Sequence, residues 1–506
     1  MRFFWDNVIV FHVALEACLF AWIFGGSLGE FLLPIIPWTT LLLAEGLICF
    51  PQREVGETTF DARERVWYDM RHDPVFWLSF ALVVLLCIPF VNKGLCPICD
   101  YPHIVLRANP DPPIGFLPFC VNRIHHLNVV MWFVPALTAM LAVRHALCKR
   151  GRRLLVEIIV WNGFALSLLG TIQAATGATG PLWYNDGRPA EAYFFSTFGY
   201  PNMGGDYFTS LFALGFACWR YRNEDIDEEL QRDDGEAVRV KSRSRFWRRH
   251  YLLIPTVTSY FAAINTLSRA AIMLVTALAG IFFLHTVVVQ LKKLERVRRF
   301  KATVISFAVF VLVIAAALRF MPEDVQREVD TLSTDVVLQR VSGKGQYHNR
   351  VALEIWKDHR LFGCGGWGYK HFCISKMTDK ELEHMQTIGG CNVHNDFLQF
   401  MCEHGIVGLA LILAIIFFLL KPVFLMWKDL ARSVRFQSRK ERPPHPAALF
   451  AFPAAAFATL AAVVATVIHS FADCPLRSPA VLTLFFIELT AIDGFLPYAH
   501  VRKRRD

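Results

Sequence analysis

The stretch VHNDFLQFMCEHGIVGLALILAIIFFLL, residues 393–420, changes from polar to apolar near its middle. Its first half carries a His-Asn pair, and after Gly408 it becomes an unbroken apolar run. An α-helix needs about 20 apolar residues to cross a bilayer. The segment 406–427 has 22 residues, and Lys421 is its one charged residue. The stretch therefore predicts a membrane helix, 406–427, preceded directly by a segment that can carry chemistry, with His394 at the point of membrane entry.

The rest of the chain has the same apolar character. Of its 506 residues, 54% are hydrophobic, and the mean hydropathy is +0.37. This composition excludes a string of soluble domains and predicts an all-α polytopic membrane protein. The first apolar run has no small-residue cleavage site, so we expect a retained helix. Twelve spans are predicted, at about 8–25, 30–50, 74–91, 126–143, 154–172, 204–219, 251–267, 270–291, 302–318, 406–427, 447–469 and 479–495.

The basic residues predict the orientation of these spans. The net charge is +9, and most Lys and Arg lie in alternate connections and in the tail RKRRD. Such residues mark the cytoplasmic side of a membrane protein, so no nucleic-acid partner is expected. Both termini are then cytoplasmic, and the long loop at 319–405 lies outside the cytoplasm. Three regions follow: helices 1–9 in 1–318, the loop 319–405, and helices 10–12 with a basic tail in 406–506.

Eight of the thirteen cysteines fall on or near the predicted external face, where an oxidising compartment would allow disulfides. A pair among the long-loop cysteines is plausible, but the pairing is open. The Cys96–Cys99 motif fits a structural bridge, a zinc half-site or free thiols, and no second ligand pair accompanies it, so no metal is expected. The candidates are Cys96, Cys99, Cys120, Cys364, Cys373 and Cys391.

Four motifs, in this order along the chain, resemble the O-antigen ligase and O-antigen polymerase superfamily of bacterial envelope glycosyltransferases. They are FGYPN at 198–202, Ser268-Arg269-Ala270, the group Arg350, Trp356, Asp358 and 363–368, and His394-Asn395 followed by nine residues and Gly405-x-x-Gly408. The resemblance covers roughly residues 190–430. One departure concerns an arginine that the family often has shortly before the Pro-Asn pair. Tyr193 and Phe194 occupy that region here, and Arg188 is the nearest arginine.

The resemblance implies an inverting, metal-independent glycosyltransferase without a cofactor, on the periplasmic face of a bacterial inner membrane. Its donor would be a glycan on undecaprenyl pyrophosphate, surrounded by membrane lipids. Its acceptor would be the lipid A core, as in O-antigen ligases, or another hydroxyl. A polymerase and an O-linked protein oligosaccharyltransferase share the donor and stay open as alternatives. A transporter of an anion or of a lipid-linked glycan is the alternative from another class.

The residue chemistry suits these tasks. His394 suits the general base, because a neutral imidazole accepts a proton near pH 7. Arg269 and Arg350 suit the pyrophosphate, because guanidinium groups bind phosphate oxygens and stay charged. Arg340 is a rival for the role of Arg350.

Further candidates for substrate binding are Arg188, Asn202, Asn395 and Trp367. Asn202 could bind a sugar or cap a helix, and Trp367 could stack on a sugar ring. The turn GCGGWG at 363–368 could cradle a phosphate, but its glycines are expected to permit tight backbone turns instead. Glu403 is expected to be a structural partner of this turn rather than the group that orients His394.

Overall fold

The computed structural model describes residues 6–23, 25, 29–92, 99–100, 103–104, 114–184, 193–232, 242–293, 304, 307–308, 326–327, 347–388, 392–438 and 453–496. Within them the chain is almost entirely helical. Two short strands, β1 at Cys99–Asp100 and β2 at His103–Ile104, form an antiparallel ladder. The helices are α1 Val8–Trp22, α2 Gly29–Cys49, α3 Thr59–His72, α4 Pro74–Cys87, α5 Arg123–Leu141, α6 Lys149–Ala175, α7 Pro201–Arg232, α8 Ser242–His250, α9 Leu253–Asn265, α10 Arg269–Lys293, α11 Tyr347–Asp358, α12 Gly368–Phe372, α13 Asp379–Ile388, α14 Asp396–Ser438, α15 Ala454–Ala472 and α16 Pro479–Ala491.

Each predicted span coincides with one of these helices, except the span at 302–318, which lies almost wholly outside the described residues. Among the described residues, five helices are long and apolar enough to cross a membrane, or six if the bent pair α3–α4 counts as one span. The all-helical membrane class is therefore confirmed, whereas the described residues do not establish twelve spans. Helices such as α1, at 15 residues, are shorter than a straight crossing requires.

The last helix, α16, lies at the centre of the bundle. Every residue of α16 is buried, including Glu488. It packs against α1, α5, α7 and α15. A helix that is apolar on all sides has no face for solvent, which explains its central position.

The stretch at 393–420 contains a broken helix. Gly405 in α14 has φ +65° and ψ −172°, so the turns from Asp396 to His404 are offset from the membrane-crossing part. The glycine-rich turn at 363–368 docks on this break. The Cys364 amide donates to the Cys402 carbonyl at 3.1 Å, and the Gly365 amide donates to the Glu403 carbonyl at 2.8 Å.

This docking brings backbone against backbone. A Cβ atom on Gly363 would lie 2.3 Å from the carbonyl carbon of Glu403, and Gly363 has φ +71°. Only glycine satisfies both conditions. The amide of Gly366 donates to His126 Nδ1 at 2.9 Å. Because these amides already have acceptors, the turn is a structural joint, as the sequence predicts, and not a phosphate cradle.

The helix ends fall into two groups. At one end of the bundle, the Thr197 hydroxyl donates to the Ala21 carbonyl at 2.6 Å, and the Ser478 hydroxyl donates to the Gly25 carbonyl at 2.6 Å. These residues belong to connections predicted to be external. At the other end, Lys149 Nζ donates to the Leu496 carbonyl at 2.8 Å, in the basic group predicted to be cytoplasmic.

Candidate active site

His394 lies immediately before α14 in a turn with φ +52°, a conformation that non-glycine residues adopt at some energetic cost. Its side chain is 39% exposed, so it is open to a substrate. The Nδ1 atom lies 3.3 Å from Oδ1 of Asp473, whose side chain is only 4% exposed. This pairing of an open imidazole with a buried carboxylate is the central feature of the site.

Asp473 follows the last residue of α15 and collects hydrogen bonds from several elements. Its carboxylate accepts from the Tyr200 hydroxyl at 3.0 Å, from the Asn202 amide, and from the Cys474 backbone amide at 2.7 Å. Burial alone would raise the pKa of Asp473. The hydrogen bond and charge of His394, together with the charge of His469 and the Cys474 amide, instead lower this pKa to about 2. Asp473 is therefore a stable anion beside His394.

Asn202 connects this pair to a second motif. Its Nδ2 atom donates to Asp473, and its Oδ1 atom accepts from the hydroxyl of Ser268, which precedes α10. Helices α7 and α10 pack closely at this point: a Cβ atom on Gly205 would lie 2.6 Å from the Ala271 side chain. Asn202 thus forms hydrogen bonds within the protein, and FGYPN, the Ser268 motif and the His394 motif share one network.

The arrangement determines which nitrogen of His394 can act. A carboxylate next to Nδ1 favours the tautomer with the proton on Nδ1, which leaves the lone pair on Nε2. An exposed Nε2 can accept a proton from a hydroxyl, and Asp473 stabilises the imidazolium that forms. Such an arrangement is chemically suited to a general base with a fixed orientation.

A metal could in principle occupy the same place. A nitrogen of His394, a carboxylate oxygen of Asp473 and the thiol of Cys474 lie within 4.8 Å of one another, the one such group among the described residues. Both Asp473 oxygens, however, already accept protein hydrogen bonds. Burial raises the pKa of the Cys474 thiol well above its ordinary value, which disfavours the thiolate that binds a metal. The donor set fits a hydrogen-bonded base better than a metal centre.

The structure places the two predicted arginines differently. Arg269 is the first residue of α10 and directly follows Ser268, at the edge of the network. Arg350 on α11 forms ion pairs with Glu354 at 2.7 Å and with Glu381 at 2.6 Å, and its side chain is 43% exposed.

The neighbour that α11 presents to the site is His348, whose ring lies 6.1 Å from the ring of His394. Two residues along a helix correspond to a rotation of about 200°. Arg350 therefore extends from the opposite side of α11, and a role on the pyrophosphate would require both of its ion pairs to break.

The remaining candidates are structural or lie outside the described residues. Asn395 caps α14 by accepting from the Leu398 amide at 2.9 Å. Trp367 packs under the guanidinium of Arg477, 4.6 Å from Cζ to the ring centroid. Arg188 and Arg340 lie outside the described residues. Glu403 pairs with Arg477 at 2.6 Å and does not orient His394, in agreement with its predicted role.

Cys96 and Cys391 lie outside the described residues. The sulfur of Cys364 lies 4.0 Å from the sulfur of Cys402, a partner outside the predicted set.

Sequence reasoning missed two residues of the His394 network, Asp473 and Tyr200. Asp473 is 79 positions from His394 in the chain and outside the recognised motifs. The signal for it is an acid in FADCPLR, residues 471–477, at the predicted external end of a membrane helix. Tyr200 lies within FGYPN, where it was read only as part of the motif.

An apolar cleft opens beside the site, between α5, α14 and α16. Its polar end carries Asp396, two positions after His394, together with Arg477. Its apolar walls extend along the helices. The lining residues are Val129, Trp132, Phe133, Asp396, Phe397, Phe400, Glu403, His404, Leu409, Ile412, Ile416, Leu476, Arg477, Leu482, Phe485 and Phe486.

Comparison with known proteins identifies one family. The family model Wzy_C, described as O-antigen ligase, matches residues 254–413. No curated protein matches the chain. The matched range contains Ser268, Arg269, Arg350 and His394, whereas Asp473 lies beyond it. The resemblance to the O-antigen ligase superfamily is therefore confirmed over this part of the chain, and it indicates a membrane glycosyltransferase of this general type.

Proposed function

We propose that this chain, whose residues 254–413 match the O-antigen ligase family, transfers a glycan from undecaprenyl pyrophosphate to an acceptor hydroxyl. The reaction takes place on the periplasmic face of a bacterial inner membrane, with both termini in the cytoplasm. By the resemblance, the acceptor is the lipid A core. The observation that carries this proposal is the His394–Asp473 pair within the network of Asn202 and Ser268.

The proposed chemical step is a single displacement. His394 Nε2 takes the proton of the acceptor hydroxyl as its oxygen attacks the anomeric carbon. The bond from that carbon to the pyrophosphate oxygen breaks, and the electron pair leaves with the lipid pyrophosphate. One base and a direct attack invert the anomeric configuration. Asp473 stays ionised and stabilises the charged imidazole.

The leaving pyrophosphate requires positive charge close to this base. Arg269 supports that role, because it follows Ser268 and so begins its helix at the edge of the His394 network. The role of Arg350 remains a proposal that depends on release from Glu354 and Glu381. No protein residue must form a covalent intermediate in this scheme.

The apolar cleft supports a lipid-linked donor. Its walls include Phe400, Ile412 and Phe485, and its polar end reaches Asp396 beside His394. An isoprenoid chain could lie between the helices while its head group reaches the base. A polymerase or an O-linked protein glycosyltransferase would use the same donor half, and the identity of the acceptor separates these reactions.

The test is transfer in vitro by purified full-length protein with a defined polyprenyl-pyrophosphate glycan and several acceptors: lipid A core, a second lipid-linked glycan and a peptide. We expect His394→Gln to lose at least about 100-fold in kcat, because general-base catalysis contributes on this order. The matched control is His72→Gln, which changes an exposed histidine of α3.

Wild-type activity in His394→Gln would overturn the assignment of His394 as the general base. A product that retains the anomeric configuration would overturn the single-displacement mechanism. A chelator arm is included, and loss of activity that added metal restores would overturn the metal-independent scheme.

A further inference from the structure

We infer that Arg477 is a second guanidinium contact for the donor's diphosphate, placed at the polar end of the apolar cleft. The inference rests on the proposed function and assigns a residue outside the family match. Arg477 ends a short helical turn, Pro475–Arg477, that begins two residues after Asp473. The preceding Leu476 amide donates to Asp396 Oδ2 at 2.8 Å. Contacts on both sides therefore fix this turn next to His394.

The guanidinium of Arg477 is held in place, but only part of its hydrogen-bonding capacity is satisfied. Its Nη2 atom lies 2.6 Å from Glu403 Oε2, and its Cζ atom lies over the Trp367 ring. The side chain is only 10% exposed. Its Nη1 atom is buried, and among the described residues it has no hydrogen-bond partner. A buried charged donor without an acceptor is costly, which indicates that an acceptor is supplied from outside the chain.

A second buried atom in the cleft has the same property. His404 is 4% exposed, and its Nε2 atom also lacks a partner within the described part of the chain. Both side chains line the cleft, whose other walls are aromatic and aliphatic. The cleft thus offers unpaired polar atoms at one end and an apolar channel at the other. An isoprenoid diphosphate matches this pattern, with its phosphate oxygens on Arg477 and its chain along Phe400 and Phe485.

The surrounding charges are compatible with this assignment. Glu403 engages one arm of the guanidinium and orients the other, which is possible because the guanidinium is a planar fork with several donors. Gln399 donates to the other Glu403 oxygen at 3.0 Å. Asp396 has its own backbone donor. Arg350, in contrast, is largely solvated and pairs with two carboxylates. Arg477 is therefore the better placed of the two for an anion at the lipid interface.

The test compares Glu403→Gln with Glu403→Gln/Arg477→Gln in the full-length protein, with steady-state transfer from a defined polyprenyl-pyrophosphate glycan. The single variant keeps the guanidinium, and the double variant removes both charges without leaving a buried carboxylate unpaired. We expect Glu403→Gln to keep the donor KM within about 3-fold. We expect the double variant to raise the donor KM about 10- to 100-fold, because it loses a charge-assisted hydrogen bond to the donor. The acceptor KM should not change.

Arg477→Lys is the second variant, and it tests the inference if the double variant does not fold. It keeps the charge but loses the fork, and we expect a smaller rise in the donor KM. Arg152→Gln is the matched arginine control, because its side chain is 11% exposed and pairs with Asp493 at the opposite end of the bundle, and we expect an unchanged donor KM. An unchanged donor KM in the Arg477 variants overturns the inference. Wild-type protein that does not use the lipid-linked donor at all would instead overturn the proposed function.

Discussion

At the scale of single residues, the site depends on one imidazole and one carboxylate that differ in exposure. His394 is open to solvent, whereas Asp473 is buried and surrounded by donors. This difference leaves the histidine accessible to a substrate while the aspartate keeps its charge. Tyr200 contributes to the same task, since its hydroxyl donates to Asp473. Burial and the nearby Asp473 charge raise the Tyr200 pKa, so this hydroxyl remains a donor at any working pH.

The first prediction concerns Asp473→Asn. The amide keeps the size of the side chain but cannot stabilise imidazolium, and it can favour the wrong tautomer of His394. We expect kcat to fall about 100- to 10,000-fold, with donor KM little changed. Steady-state kinetics measure this, and circular dichroism confirms folding. Asp493→Asn, at the opposite end of the bundle, is the control. Full activity of Asp473→Asn would show that His394 does not need this partner.

The second prediction concerns acid stability. The pKa of Asp473 is about 2 in the folded protein, against an ordinary value of 3.8. A lowered pKa stabilises the fold above pH 3.8, and this contribution is lost as the pH falls from about 4 to 2. It amounts to about 2 kcal/mol. We expect thermal unfolding in detergent at several pH values to show a smaller loss of stability at low pH for Asp473→Asn than for wild type. An equal loss in both proteins would contradict this assignment.

At the scale of elements, the break in α14 separates the segment that follows His394 from the membrane-crossing part. The break and the glycine-rich turn stabilise each other, since the Ile406 amide donates to the Arg360 carbonyl at 3.0 Å and the Val407 amide to the Leu361 carbonyl at 3.1 Å. These hydrogen bonds between the turn and α14 fix the angle at which α14 leaves the site.

The third prediction follows from this contact between the turn and α14. In Gly405→Ala, the new Cβ atom would meet the Leu361 carbonyl oxygen at 2.2 Å, in a backbone with φ +65°. We expect a loss of stability of at least about 2 kcal/mol, or failure to fold. Gly280→Ala in α10 is the matched control, because its Cβ meets no atom within 4 Å. Fluorescence-detected size exclusion after heating compares the two. Equal stability would mean that α14 can be continuous.

Sequence reasoning reached the helices and part of the site, for physical reasons. Apolar runs predict helices because hydropathy is a local property, and three of the four motifs, FGYPN, Ser268-Arg269-Ala270 and His394-Asn395, meet in the structure. Asp473 was not predicted from the sequence, because its contact with His394 depends on how the end of α15 packs against α14, which is a tertiary property. The ion pairs of Arg350 were hidden for the same reason. The break at Gly405 likewise depends on a tertiary contact, the docking of the turn at 363–368.

At the scale of the whole molecule, the two ends of the bundle are chemically different. The His394 network lies at one end, and basic residues such as Arg152 and Arg144 form ion pairs at the other. This division agrees with the orientation that the charges predict. The compartment that each end faces is part of the proposed function.

The fourth prediction tests that orientation in intact cells. Phe116 is exposed in the connection 92–125, and Val55 is exposed in the connection 51–73. We expect Phe116→Cys to react with a membrane-impermeant maleimide and Val55→Cys to react only after the membrane is opened. Cys87, which is exposed, is replaced by Ser in both backgrounds. Labelling of Val55→Cys in intact cells would reverse the topology and place His394 in the cytoplasm.

The burial of α16 has a consequence for biogenesis. Within the part of the chain that the structure describes, α16 is synthesised after all other helices, yet α1, α5, α7 and α15 pack around it, and Asp473 and Arg477 lie just before it. A nascent chain that ends before α16 would have a bundle without its central helix. We therefore expect the proposed activity only after α16 has been made, and premature stop codons before residue 479 should yield protein that quality control removes rather than a partly active enzyme.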